Sequence, residues 1–212
     1  MGSFPQKDLK ISKKRKDFRA PDFTTIIIQS GFGQKSTQEK IADTAPLIWE
    51  VKASSENLTW FGEGRPAHPE MGDIFVQYFD QVAVQAVYAK AKFNQKSIHI
   101  LLSIDIWFLL LHFPAGDSPS VMWNTGKRHK PQLRPAGLSK FNDYIVVGPA
   151  PLVNEDCTAF SPQFLYALQL SVEKLTNVSV TLHPSFRAPE GTAEVVSAQV
   201  RHIHLSPLFN IE

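Results

Sequence analysis

The sequence predicts an all-β protein: a β-sandwich preceded by a disordered basic arm. Three observations predict it. Short β-branched or alternating runs recur along the chain, stretches containing proline and glycine separate them, and few segments hold a helical period. With 212 residues and 43% hydrophobic content, there is enough apolar material for one domain with a full core. The expected division is an arm over residues 1–21 and a sandwich over 22–212.

The elements follow in order. Phe23 to Gln29 (FTTIIIQ) is β-branched and lies between Pro21 and Ser30-Gly31, which predicts a strand. Pro46 to Ala53 (PLIWEVKA) and Leu58 to Phe61 read as two more strands around a Ser-Ser-Glu-Asn turn. Gly62 to Gly72 is a loop by its prolines and glycines. Gly72 to Gln95 opens with Phe75, Tyr78 and Phe79 and then alternates. As a strand, it puts Val82, Val84, Ala86 and Tyr88 on one face and Ala83, Gln85, Val87 and Ala89 on the other. Both faces are apolar, as in the covered strands of a sandwich. Its alanines leave a helix open as the alternative.

Ile98 to Phe113 is too short to span a membrane and carries Asp105 near its middle, so it reads as a buried element. It splits into a strand over Ile98–Ile106 and a second segment ending at Pro114. Tyr144 to Val147 is a short strand closed by Gly148-Pro149. Ser161-Pro162 ahead of Phe164 to Leu175 gives a helix start, with serine as cap and proline in the first turn; a strand over Tyr166–Val172 is the alternative. Val178 to His183 and Glu194 to Leu205 read as closing strands.

Charge is unevenly placed. Residues 1–19 carry Lys7, Lys10, Lys13, Lys14, Arg15, Lys16 and Arg19 against only Asp8 and Asp17, whereas the remainder is slightly acidic. Such a segment has little apolar surface to offset its ordering entropy and is suited to neutralising phosphates. Those seven residues are the expected nucleic-acid contacts. Lys13-Lys14-Arg15-Lys16 also matches a nuclear import signal. Lys127-Arg128-His129-Lys130, with Arg134 and Lys140, forms a second basic cluster in a loop.

The aromatic–Asp–Gln turn at Phe79-Asp80-Gln81, leading into an alternating strand that ends Lys-Ala-Lys-Phe-Asn, resembles a strand of the jelly-roll coat proteins of small non-enveloped eukaryotic viruses. The resemblance implies a jelly-roll form of the sandwich and self-assembly into a shell. It implies packaging of nucleic acid, RNA ahead of single-stranded DNA, with a plant virus the nearest match in size and layout. The expected locations are then the virion and the host cytoplasm, or the nucleus if the import signal acts. No membrane partner is expected. The rival readings are a movement protein that binds nucleic acid and a β-sandwich enzyme or ligand-binding module.

Little chemistry is expected. His202 and His204 would share a strand face, but no third metal ligand accompanies them. Cys157 is the lone cysteine and lacks a nucleophile motif. Asp105 reads as a hydrogen-bonded residue at a strand end or as a carboxyl with a raised pKa. Asn154-Glu155-Asp156 is an acidic loop of the kind that binds calcium between coat subunits. The expectation is no enzyme, no catalytic residue, no metal and no cofactor.

Overall fold

The structure, a computed structural model, describes residues 2–5, 9–10, 18–19, 23–28, 43–54, 68–115, 121–122, 132–133, 141–173 and 182–205. Side chains are described for residues 47–54, 71–115, 141–173 and 182–201. The strands are β1 (Gly2–Pro5), β2 (Leu9–Lys10), β3 (Phe18–Arg19), β4 (Phe23–Ile28) and β5 (Asp43–Lys52). They continue with β6 (Ile98–Ile104), β7 (Trp107–Phe113), β8 (Val121–Met122), β9 (Gln132–Leu133) and β10 (Ile145–Pro151). The helices are α1 (His68–Val76), α2 (Phe79–Phe93), α3 (Pro162–Glu173) and α4 (Thr192–Leu205).

One mixed six-stranded sheet in the order β1-β4-β5-β6-β7-β10 forms the centre. Its neighbours are antiparallel except β5 and β6, which run parallel, with Leu47 opposite His99 and Lys52 opposite Ile104. A parallel pair needs a crossover, and α1 and α2 supply it. One face of the sheet (Ile48, Ile100, Leu102, Leu109, Leu111, Phe113) packs against α1 and α2 through Phe75, Phe79, Val82, Ala86 and Phe93. The other (Leu47, Leu101, Phe108, Leu110, Val147) packs against α3 and α4 through Phe164, Ala167 and Val196. The result is three layers, helix on sheet on helix.

This architecture overturns the all-β jelly-roll sandwich. A single sheet covered by helices replaces two facing sheets, and with that the coat-protein reading and the β-sandwich module reading both fall. Within the expected arm, Gly2–Pro5 pairs with β4 and Leu9–Lys10 pairs with Phe18–Arg19, and the rest of residues 1–21 lies outside the described residues.

The central strand expected over Gly72–Gln95 is α1 and α2. The misreading has a physical cause. Around α2, the buried positions include Phe79, Val82, Ala83, Val84, Gln85, Ala86, Tyr88, Ala89 and Phe93, so burial runs round most of its circumference. The sheet covers one side, and the backbones of β2 and β9 lie beside it as well. A helix buried nearly all round has no polar stripe, so its composition is that of a strand covered on both faces. Asn94 stops it in the left-handed region at φ 51°, with its N–H donating to the Lys90 carbonyl.

Glu194–Leu205 is likewise helical, within α4. Thr192 and Val196 are buried and Val200 half-buried, four residues apart on one face, while Ala198 is exposed. The helix expected after Ser161 is present: Ser161 Oγ accepts from Phe164 N at 3.2 Å, and Pro162 opens α3.

The strands expected over Phe23–Gln29, Pro46–Ala53, Ile98–Ile106 and Tyr144–Val147 are present, and the second segment, through Phe113, is the strand β7. The strand expected over Tyr144–Val147 continues to Pro151. Gly148 is required within it, since φ is +93° and a Cβ would lie 2.6 Å from the Phe108 carbonyl oxygen. Leu58–Phe61 and residues 178–181 of the strand expected over Val178–His183 lie outside the described residues, while Leu182 and His183 are not in a strand, His183 capping a short 3-10 turn.

Candidate functional site

Strand alternation sends successive β5 side chains to opposite faces. Leu47 and Trp49 turn towards α3, where the Trp49 ring lies 5.7 Å from that of Phe164. Ile48 turns towards α2 and joins its core. Glu50 and Lys52 continue on that α2 face, at the carboxyl end of the strand. There the apolar core gives way to a charged cluster.

Glu50 is only 2% exposed, yet its carboxylate is well supplied with donors. Oε1 accepts from Lys52 Nζ and from Gln81 Nε2 at 2.5 Å, and Oε2 accepts from Gln85 Nε2 at 2.6 Å. Gln81 and Gln85 stand one turn apart on α2, so both amides reach the same carboxylate. Gln81 is exposed and Lys52 is 21% exposed in its side chain, so the cluster opens to solvent through these two, above Glu50. Gln85 is 1% exposed, and its Oε1 meets no donor among the described residues. Gln81 lies in the first turn of α2, whose N-terminal N–H groups favour negative charge nearby.

The end of β5 is tied down from two sides. Asp105 N donates to the Lys52 carbonyl at 2.9 Å, and Ser54 N donates to both Asp105 carboxylate oxygens at 3.3 and 3.2 Å. Tyr78 Oη donates to the Ala53 carbonyl at 3.4 Å.

A buried ion pair is a poor source of stability, because desolvation offsets most of its attraction, and a well-packed apolar pair serves a core at least as well. Its chemistry is more informative. A carboxylate beside an ammonium, at the carboxyl end of a parallel strand pair, is where open α/β sheets bind ligands. Hard divalent cations take oxygen donors, and magnesium is typically held by one or two carboxylates together with water and substrate phosphate. Glu50 and the unengaged Gln85 Oε1 are oxygen donors on hydrogen-bonded neighbours. Among the described residues there is no group of three or more His, Cys, Asp or Glu side chains placed to hold a metal ion.

The expected sites fare differently. Lys10 and Arg19 fall in β2 and β3, with Lys10 opposite Phe18 and Leu9 opposite Arg19. Lys7, Lys13, Lys14, Arg15 and Lys16 lie outside the described residues, as does the loop cluster Lys127–Lys130 with Arg134 and Lys140. Asp105 is the hydrogen-bonded residue at a strand end that the sequence suggested. In Asn154-Glu155-Asp156, side-chain acceptors are engaged within the loop: Asn154 Oδ1 accepts from Thr158 N and Ala159 N, and Asp156 Oδ1 from Thr158 N and Oγ1. Those Thr158 bonds hold the Asp156 carboxyl below the ordinary carboxylate range. His202 and His204 sit in α4, where a two-residue step turns about 200° and separates them. Cys157 is an exposed thiol.

Glu50, Lys52, Gln81 and Gln85 were not singled out from the sequence. A signal existed: Glu50-Val51-Lys52 places opposite charges two apart in an apolar strand, so both fall on one face. The two glutamines, four apart, become a pair only once the segment is known to be a helix.

The fold and cluster together define an α/β protein with a mixed open sheet and a charged centre at the end of its parallel pair. No family model, curated protein or solved structure matches the chain. Among the described residues, no helix is long and apolar enough to cross a membrane.

Proposed function

We propose that this chain is a divalent-cation-dependent phosphodiesterase acting on nucleic acid, with Glu50 and Lys52 at its reaction centre. The observation that carries this reading is the Glu50–Lys52 pair, held on one face of β5 beneath the first turn of α2 by Gln81 and Gln85. Phosphodiester hydrolysis needs an anion site, an oriented water and relief of the charge that builds on phosphorus. Lys52, partly open to solvent, holds a phosphate oxygen or the attacking water. Gln81 stays on Glu50 Oε1 when Lys52 turns to substrate, so the carboxylate is not left bare.

The first-turn N–H groups of α2 add a fixed positive potential towards the phosphate. Glu50 and Gln85 Oε1 would hold the cation, which when bound supplies charge neutralisation and a more acidic water. As the water oxygen bonds to phosphorus and releases one proton to solvent, the bond to the leaving sugar oxygen breaks and that oxygen takes up a proton from solvent. The basic residues Lys7 to Arg19 support the choice of a nucleic acid, since such a segment supplies sequence-independent, salt-sensitive affinity.

The test is cleavage of plasmid, single-stranded DNA and RNA by the full chain with magnesium or manganese. Glu50→Gln and Lys52→Met are expected to lower the rate by about 100-fold or more while far-ultraviolet circular dichroism stays unchanged. A wild-type rate no higher than that of Glu50→Gln, with either metal and on all three substrates, overturns the reading.

A further inference from the structure

We propose that Asp105 is the positioning residue for Lys52; the inference rests on reading Glu50 and Lys52 as the reaction centre. The parallel ladder between β5 and β6 ends at Lys52 opposite Ile104. The bond from Asp105 N to the Lys52 carbonyl closes that ladder, and past it the strand end depends on side-chain contacts, of which Tyr78 Oη to the Ala53 carbonyl at 3.4 Å is one. Asp105 holds it twice. Its N–H donates to the Lys52 carbonyl at 2.9 Å, and its carboxylate accepts from Ser54 N at 3.3 and 3.2 Å. The two contacts tie the backbone on both sides of Ala53.

The turn alone does not require an aspartate. Asp105 and Ile106 form the two-residue connection between β6 and β7, with Ile104 opposite Trp107. Asp105 takes the left-handed conformation at φ 50°. Glycine or asparagine would adopt that conformation equally well. What glycine would not provide is a carboxylate reaching a backbone N–H 51 positions earlier in the chain. The geometry therefore separates two contributions: the backbone conformation makes the hairpin, and the carboxylate fixes the end of β5. When that end frays, Lys52 leaves Glu50 and no longer meets the phosphate in register. A misplacement of about 1 Å is enough to cost a large factor in rate.

Three variants of the full chain separate these contributions. Asp105→Gly keeps the left-handed backbone and removes the carboxylate, Asp105→Asn keeps the backbone and one oxygen acceptor, and Asp105→Ala removes both. Two readouts are taken on each: kcat and KM for nucleic-acid cleavage, and the acylation rate of Lys52 relative to exposed Lys92, read by mass spectrometry.

The glycine variant is expected to lose about tenfold or more in kcat with KM within about twofold, and to acylate Lys52 several-fold faster. The asparagine variant is expected to recover most of both. A merely structural role would lower the folded fraction, which also lowers apparent kcat at constant KM, so kcat is taken per folded molecule by circular dichroism; in that case acylation of Lys90, bonded to the Pro114 carbonyl, rises together with Lys52, whereas the positioning role raises Lys52 alone. A folded Asp105→Gly protein with wild-type kcat and a wild-type Lys52 acylation rate overturns the inference. If the wild type does not cleave, the reading under Proposed function falls separately. The acylation rate then decides alone: an unchanged Lys52 rate in Asp105→Gly overturns the positioning role, and a raised one upholds it.

Discussion

The two faces of β5 make opposite uses of one strand. Towards α3, Trp49 joins an aromatic group in which the buried Phe164 lies 5.7 Å from Trp49, 5.3 Å from Phe108 and 5.0 Å from the exposed Phe160. Towards α2, the same strand starts dry at Ile48 and ends in Glu50 and Lys52, with glutamine amides in place of rings. Alternation lets residues adjacent in sequence serve unrelated ends, because their side chains never meet. The α3 face is held chiefly by burial, with Trp49 Nε1 donating to Ser103 Oγ at 2.9 Å, whereas the polar end of the α2 face has to be held in place by hydrogen bonds.

The comparison breaks most severely at Phe79, which anchors the dry part of the α2 face. Its ring lies 4.8 Å from Phe141, 5.7 Å from Tyr144 and 6.3 Å from Phe113. Phe79→Ala is expected to lose about 4 kcal/mol of stability in urea unfolding, from lost burial and the cavity left behind. A loss under about 1 kcal/mol would show that this face is not the packed core described.

On the α3 side, Ser161→Ala removes the acceptor for Phe164 N and the donor to the Pro151 carbonyl, which Ser161 Oγ reaches at 2.5 Å. About 1 kcal/mol is expected. A null effect would place the start of α3 under the control of packing rather than capping.

The smallest effect belongs to Asp156, in an exposed loop. Its carboxyl is held below the ordinary range by Thr158. A folded-state pKa below the unfolded one gives a contribution that is present above the unfolded pKa and lost as pH falls through the folded value. Nuclear magnetic resonance titration is expected to show Asp156 titrating low and rising towards the ordinary range in Thr158→Ala. An Asp156 that already titrates in the ordinary range would remove Thr158 as the cause.

These predictions separate what local sequence reveals from what it hides. Phe23–Ile28, β5, β6, β7 and the Ser161-Pro162 helix start were legible because their signals are local: β-branching, flanking turns and a cap. α2 and α4 were not. The circumference of α2 is buried nearly all round, which erases the polar stripe by which a surface helix is recognised. α4 has β-branched residues at Thr192, Val195, Val196 and Val200, and only its contacts show that Thr192, Val196 and Val200 form the inward face.

The jelly-roll likeness rested on the α2 segment and fell when that segment proved helical. The site was half visible. Glu50 and Lys52 can be placed on one strand face by counting, but the glutamines that hold Glu50 lie 31 and 35 positions away and needed the crossover to bring them near.

By itself, the sequence determined most strands of the central sheet, though not β1, together with the cap of one helix and the placement of two opposite charges on a single strand face. Each follows from side chains within a few residues of one another. Tertiary structure decided which long apolar segment became a helix, that the sheet would be covered by helices rather than by a second sheet, and that a buried carboxylate would meet two amides and an ammonium. Those outcomes depend on what lies on the far side of each element, and burial from two directions leaves the same composition whether the backbone is coiled or extended.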